Sequence, residues 1–156
     1  MTGKSVGTTK GTTISVRRKL YEKIFSIVSE VNFKCGFIDG KSLQQSDVFE
    51  CLTVKFTHKL MGLTESGFNT HLQERIGSDG KKTTIYINGR TLLALDKLTQ
   101  AINLLLKPPS SFITRTDVLE ILILHCADDV RDYYLSLCDE KRQNSFRDTC
   151  DVNTKR

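Results

Sequence analysis

The segments Thr12-Thr13-Ile14-Ser15-Val16 and Thr83-Thr84-Ile85-Tyr86-Ile87 are near copies of one another, related by a shift of 71 residues. The same shift carries Ile24, Ile27 and Val31 onto Leu95, Leu98 and Ile102. A shift of 70 then carries Ser46-Asp47-Val48-Phe49-Glu50-Cys51-Leu52 onto Thr116-Asp117-Val118-Leu119-Glu120-Ile121-Leu122. One residue is lost between the blocks, as expected of a loop. The chain therefore carries a unit of about 50 residues twice, and self-similarity of this kind governs the whole reading of a fold.

Each copy has the same grammar. Its first block alternates apolar and polar residues, with Ile14 and Val16, then Ile85 and Ile87, on one side, which is the period of a short half-buried strand. Its second block places Leu20, Ile24, Ile27, Val28 and Val31, or Leu92, Leu95, Leu98, Ile102 and Leu105, at helical spacings of three and four. Gly36 and Gly40 end this helix in copy one, and Pro108-Pro109 in copy two. The third block is a second helix, with Val48, Cys51, Leu52 and Phe56 matched by Val118, Ile121, Leu122 and Cys126. Thr114 and Asp117 make a capping box at its start in copy two. In copy one the equivalent of Thr114 is Gln44, a poorer cap, so Ser46 is expected to cap instead.

A lone strand cannot satisfy its own backbone groups, so each copy needs the other. Antiparallel pairing of residues 12–17 with 83–88 puts Ile14, Val16, Ile85 and Ile87 on a common core beneath four helices. The expected fold is mainly α with a two-stranded antiparallel β-ribbon, two strand-helix-helix repeats forming one pseudo-twofold domain. The opposite ribbon face carries Thr13, Ser15 and Arg17 beside Thr84, Tyr86 and Asn88. A two-stranded ribbon fits the DNA major groove, where hydroxyl, amide and guanidinium groups meet base edges.

The order TTISVRRKL, helix, QQSDVFECL, then TTIYINGRTL, helix, TRTDVLEIL resembles the ribbon-helix-helix regulators related to Arc, MetJ and CopG. The tandem arrangement is similar to single-chain members of DNA-transfer systems, TraY among them. About 100 residues carry the likeness, in two blocks; the long connection from Cys35 to Gln44 and the weak cap of copy one depart from it. The resemblance implies that alternate strand residues read bases: Thr13, Ser15, Arg17, Thr84, Tyr86 and Asn88. It also implies that amides opening the second helix grip phosphates, near Gln45 and Ser46 and near Arg115 and Thr116, and helix N-termini favour anions on general grounds. Lys10, Arg18, Lys81, Lys82 and Arg90 flank the strands and add salt-dependent phosphate contacts.

Charge is compatible with this reading. The formal net charge is +5, and residues 1–34 hold seven Lys and Arg against Glu22 and Glu30, so this segment alone supplies the excess. The five cysteines are odd in number and form no C-x-x-C pair, which indicates neither a disulfide framework nor zinc, and His58, His71 and His125 are scattered. No cofactor is expected. A Gly-rich phosphate loop, a nucleophile elbow and ligand-spaced His/Cys/Asp groups are all missing, so the chain does not read as an enzyme. No apolar window has the length of a membrane span or a secretory signal, which suggests a soluble cytoplasmic protein associated with the nucleoid through DNA.

The expected organisation is a flexible tail at 1–9, repeat one at 10–60, a linker at 61–80 with a helical turn near Asn69 to Arg75, and repeat two at 81–127. A helical extension at 128–147 either prolongs the last helix or adds another, and 148–156 is a flexible tail. The expected partner is double-stranded DNA with an asymmetric or imperfectly palindromic site, because the two strands differ. Self-association on DNA and a protein partner for the extension bearing Tyr133 and Tyr134 are further expectations. The role is that of a transcriptional regulator of a plasmid, phage or other mobile element. The alternatives are a relaxosome or partition accessory protein, or an antitoxin-like interaction module that keeps the fold.

Overall fold

Thr12–Arg17 (β1) and Lys82–Ile87 (β2) pair as a two-stranded antiparallel sheet, and the rest of the protein is mainly helical. A computed structural model of the protein describes residues 10–36, 42–62, 80–105 and 113–154, with the backbone alone for 61 and 142–154. Strand partners run from Thr12 opposite Ile87 to Arg17 opposite Lys82, with Ile14 opposite Ile85. Alternation buries Ile14, Val16, Ile85 and Ile87 on one face, none more than 5% exposed. That face meets the helices, while Thr13, Ser15, Thr84 and Tyr86 point away from them into solvent.

The second strand lies one residue earlier than the expected 83–88, beginning at Lys82 and ending at Ile87. Asn88 sets the difference. Its Oδ1 accepts the Thr91 N–H at 2.9 Å and its carbonyl accepts the Leu92 N–H, so it starts a helix instead of ending a strand.

Arg18–Cys35 (α1) follows β1 directly and buries Leu20, Ile24, Ile27 and Val31. It stops at Gly36, whose φ of 67° suits a residue without Cβ and whose N–H returns to the Asn32 carbonyl. Gln45–Lys55 (α2) breaks at Phe56 and resumes as the short Thr57–Met61 (α3). After β2 come Gly89–Leu105 (α4) and Arg115–Thr154 (α5). Among the described residues this makes five helices rather than the expected four, because the second helix of copy one is split.

α5 is one continuous helix of 40 residues. The extension at 128–147 thus prolongs the last helix, and the backbone remains helical through 148–154, where a flexible tail was expected. Nothing in the sequence interrupts it, since no Gly or Pro occurs between 110 and 154. The expected tail at 1–9 and most of the 61–80 linker, including Asn69 to Arg75, lie outside the described residues.

α5 packs against α1, α2, α3, α4 and β1, which makes it the spine of the molecule. Its apolar face supplies Val118, Leu119, Ile121, Leu122, Ile123, Cys126 and Val130, all essentially inaccessible to solvent. Polar contacts extend the attachment onto the N-terminal half. Tyr134 donates to the Asp47 carbonyl at 3.3 Å, Lys55 donates to the Tyr133 hydroxyl at 2.6 Å, and Lys59 pairs with Asp129. Burial pushes the Cys51 thiol up to about 11 and raises that of Cys126 as well, so both behave as small core hydrophobes. No described helix is long and apolar enough to cross a membrane.

Candidate nucleic-acid interface

The exposed ribbon face is built by parity. Thr13 faces Tyr86 across the strands, Ser15 faces Thr84, and Arg17 faces Lys82. The Ser15 and Thr84 hydroxyls stand 3.4 Å apart, so this pair keeps donors and acceptors turned to solvent. Tyr86 is 62% exposed, large for an aromatic side chain that the core could have taken. Its phenol lies over the start of β1, where Gly11 leaves room. A Cβ built at Gly11 would overlap both the Tyr86 phenol and the Ile87 carbonyl oxygen. A side chain at position 11 would therefore displace the tyrosine from this place on the ribbon.

Four of the six expected base readers, Thr13, Ser15, Thr84 and Tyr86, share this face. Arg17 and Asn88 do not join them. Arg17 turns back toward α5, where its backbone N–H donates to Glu120 Oε2 at 2.8 Å and its Nε lies 3.4 Å from the same carboxylate. Its side chain is 16% exposed, that of Glu120 only 3%. A buried carboxylate needs a nearby cation to offset its lost hydration, and Arg17 is committed to that task. Asn88 is committed to capping α4. Lys82, expected beside the strands as a phosphate contact, instead occupies an outward register position within β2, next to Thr84. It extends the face where Arg17 withdraws from it.

The two helix starts expected to hold phosphates are fixed by matching sets of hydrogen bonds. At α2, Asn32 Nδ2 donates to the Leu43 carbonyl at 3.0 Å and the Leu43 N–H donates to Asn32 Oδ1 at 2.7 Å. At α5, Asn103 and Ile113 exchange the corresponding pair at 2.9 and 3.0 Å. Each start is then boxed by an aspartate: Asp47 accepts the Gln44 N–H at 2.9 Å, and Asp117 accepts the Thr114 N–H at 3.0 Å. In return Thr114 Oγ1 accepts the Asp117 N–H, which completes the expected box. In copy one the cap position is Gln44 rather than Ser46, because the carboxylate of Asp47 reaches the Gln44 amide and starts the helix there. The Asn clamps were missed in the sequence. Their signal was an Asn at the same place in both copies, on the last turn of an otherwise apolar stripe.

The surroundings of the two starts differ. At α2, Gln45 donates to the Tyr21 hydroxyl and Ser46 is exposed. Both line an open groove of about 370 Å³ that also contains Phe25 and Tyr86, so the helix start and the ribbon face adjoin. At α5, the Arg115 guanidinium is tied to Asp96 at 3.1 Å and Thr116 is half-buried. Lys10, Arg18, Lys81 and Lys82 are exposed around the ribbon. Arg90 is exposed too, with Glu50 at 3.4 Å. No group of three His, Cys, Asp or Glu suited to a metal ion occurs among the described residues. Comparison of the chain with protein-family models, with curated proteins and with solved structures finds no match to any of them.

Proposed function

We propose that this chain is a tandem ribbon-helix-helix protein that binds double-stranded DNA sequence-specifically, laying its ribbon in the major groove as a cytoplasmic transcriptional regulator of a mobile element. The observation that carries the reading is the ribbon register. Ile14 pairs with Ile85, the residue onto which the 71-residue shift of the sequence maps it. A twofold axis through that pair exchanges Thr13 with Thr84 and Ser15 with Tyr86, so one duplicated unit generates both halves of the exposed face. The Asn32–Leu43 and Asn103–Ile113 clamps support the same symmetry, being related by the same shifts.

The chemistry on offer suits duplex recognition. One ribbon face is sealed in the core, and the other presents two threonines, a serine, a tyrosine and a lysine on a backbone narrow enough for the groove. The start of α2, positioned by the Asn32 clamp, adjoins the ribbon face, and a helix N-terminus there suits a backbone phosphate. Since Ser15 and Tyr86 are equivalent yet unlike, a single chain reads an asymmetric or imperfectly palindromic site.

Selection of the full chain on randomised duplexes tests this. Enrichment of an asymmetric motif is expected, with Lys82→Ala and Tyr86→Ala each relaxing the preference at one position by about 1–3 kcal/mol. Failure to enrich any motif, or a strict palindrome as the best site, overturns it.

A further inference from the structure

We propose that the two ends of the ribbon are unequal toward DNA: the end where β1 passes into α1 is a clamp for backbone phosphates, and it sets the direction in which the chain lies on its site. This rests on the DNA-binding reading above.

Antiparallel pairing brings together basic residues that are far apart in sequence. Arg17 stands opposite Lys82, and the Arg18 N–H donates to the Lys81 carbonyl at 2.8 Å. Arg17, Arg18, Lys19, Lys81 and Lys82 thus meet at one end of the sheet. An open groove of about 510 Å³ is cut there, with Arg17, Arg18, Lys19 and Lys81 in its walls and Glu22 as its one acidic residue. Glu120 answers Arg17 from beneath. Arg18, Lys19, Lys81 and Lys82 have no acidic partner among the described residues. The first turn of α1 contains no acidic residue, and Arg17, at its N-cap, makes no side-chain capping bond.

The opposite end is built from the equivalent residues and differs in the number and pairing of its cations and in its capping; the first helix turn lacks an acidic residue at both ends. Its cations are Lys10 and Arg90, and Arg90 lies 3.4 Å from Glu50. The helix that starts there, α4, is capped by Asn88. Two groups of positive charge of equal strength would let the chain bind in either direction. A strong group at one end and a weaker, partly paired group at the other give the complex a polarity that base contacts alone need not supply. A duplex is the occupant that fits, because the groove is lined by Arg17 of the strand-end pair Arg17–Lys82 and by Lys81 next to it, and a cluster of cations at the end of a ribbon laid in the major groove meets backbone phosphates.

The full chain is titrated onto a fluorescein-labelled duplex of about 30 base pairs and arbitrary sequence, across roughly 50–300 mM KCl. Each lost phosphate contact lowers the slope of log affinity against log salt by about 0.9. The Arg18→Gln, Lys19→Gln, Lys81→Gln triple variant is expected to lose about 2–3 units of slope and on the order of a hundredfold affinity at 0.1 M salt. Lys10→Gln, Arg90→Gln is expected to lose less than about 1 unit, with circular dichroism confirming that both variants remain folded. Equal losses in the two variants, or a wild-type slope in the triple variant, overturn the inference while leaving DNA binding intact. A wild-type chain that binds no duplex overturns the proposed function with it. Hydroxyl-radical footprinting on the selected site is the second readout. The triple variant is expected to lose protection on one flank only, and loss on both flanks or on neither refutes a directional clamp.

Discussion

Replacing Asn32 with Ala tests whether the clamp at the start of α2 is a structural device or an incidental contact. The substitution deletes two hydrogen bonds, of 2.7 and 3.0 Å, that join the last turn of α1 to Leu43 across residues 37–41. At about 1 kcal/mol each they contribute about 2 kcal/mol. Ala restores roughly 0.5 kcal/mol through its better helix propensity. Leu43 is only 6% exposed, so its stranded N–H adds a desolvation cost that takes the total to about 1.5–3 kcal/mol. At this chain length that corresponds to a melting temperature lower by roughly 3–10 °C. Urea denaturation at pH 7 should show the midpoint falling with the slope unchanged.

Asn32→Asp sharpens the test. The carboxylate still accepts the Leu43 N–H, but its second oxygen now faces the Leu43 carbonyl, and protonation converts that repulsion into a donated bond. The folded-state pKa of the introduced group is therefore raised above its unfolded value. The stability it withholds at pH 7 is recovered as pH falls through that raised value toward 4, so the aspartate variant approaches or passes the alanine variant in acid. An alanine variant within 0.5 kcal/mol of wild type, or an aspartate variant whose deficit does not change between pH 7 and about 4, would refute the reasoning.

Three further outcomes follow from the same structure. Glu120→Ala leaves the half-buried Arg17 without its carboxylate and is expected to cost about 3 kcal/mol, whereas an Arg17→Met, Glu120→Leu pair should cost far less; calorimetry of the single and double variants reads the coupling. Gly11→Ala is expected to destabilise by about 1–3 kcal/mol, and adding Tyr86→Ala should relieve only part of this because the Ile87 carbonyl still obstructs the methyl group; full rescue would show that the side chain alone was the obstacle. The thiol of Cys51 is raised from 9.0 to about 11 and the Tyr134 hydroxyl is raised in the same direction, both chiefly by burial. Their stabilising effect is fully present below pH 9 and is lost as pH rises through the folded values, so urea midpoints should be flat from about pH 7 to 9 and then fall; a midpoint rising above pH 9 would contradict the burial of these groups.

The ribbon was legible in the sequence because the likeness of residues 12–16 to 83–87 and their period-two alternation point to it jointly. Ile14 and Ile85 had to share a face, and only antiparallel pairing lets both copies bury that face together. The strand ends were not legible by the same rule. Parity assigns Arg17 and Asn88 to the exposed face, but a terminal strand residue also begins the next helix, and its side chain answers to that role. For Asn88 the signal was present in the run Asn88-Gly89-Arg90-Thr91, where an Asn precedes a helical pattern. For Arg17 it was not, since Glu120 lies 103 residues away. The gathering of Lys81 and Lys82 with Arg17 and Arg18 was hidden for a related reason: assigned copy by copy, these charges belong to different repeats, and only the register unites them.

The continuous α5 has a consequence for the order in which the protein can assemble. β1 has no partner until β2 has been made, and the α2–α3 segment lacks its cover until residues 129–134 have emerged. During synthesis the N-terminal half is thus a chain whose apolar stripes meet one another but lack most of their cover, and its helices can fluctuate but not lock. Contacts spanning 70 to 103 residues must close together at the end, so folding is expected to be slow for a mainly helical protein and cooperative across both halves. Such a chain is exposed to misassembly while it waits, with the bare edge of β1 as the point where a neighbouring nascent chain could pair in place of β2.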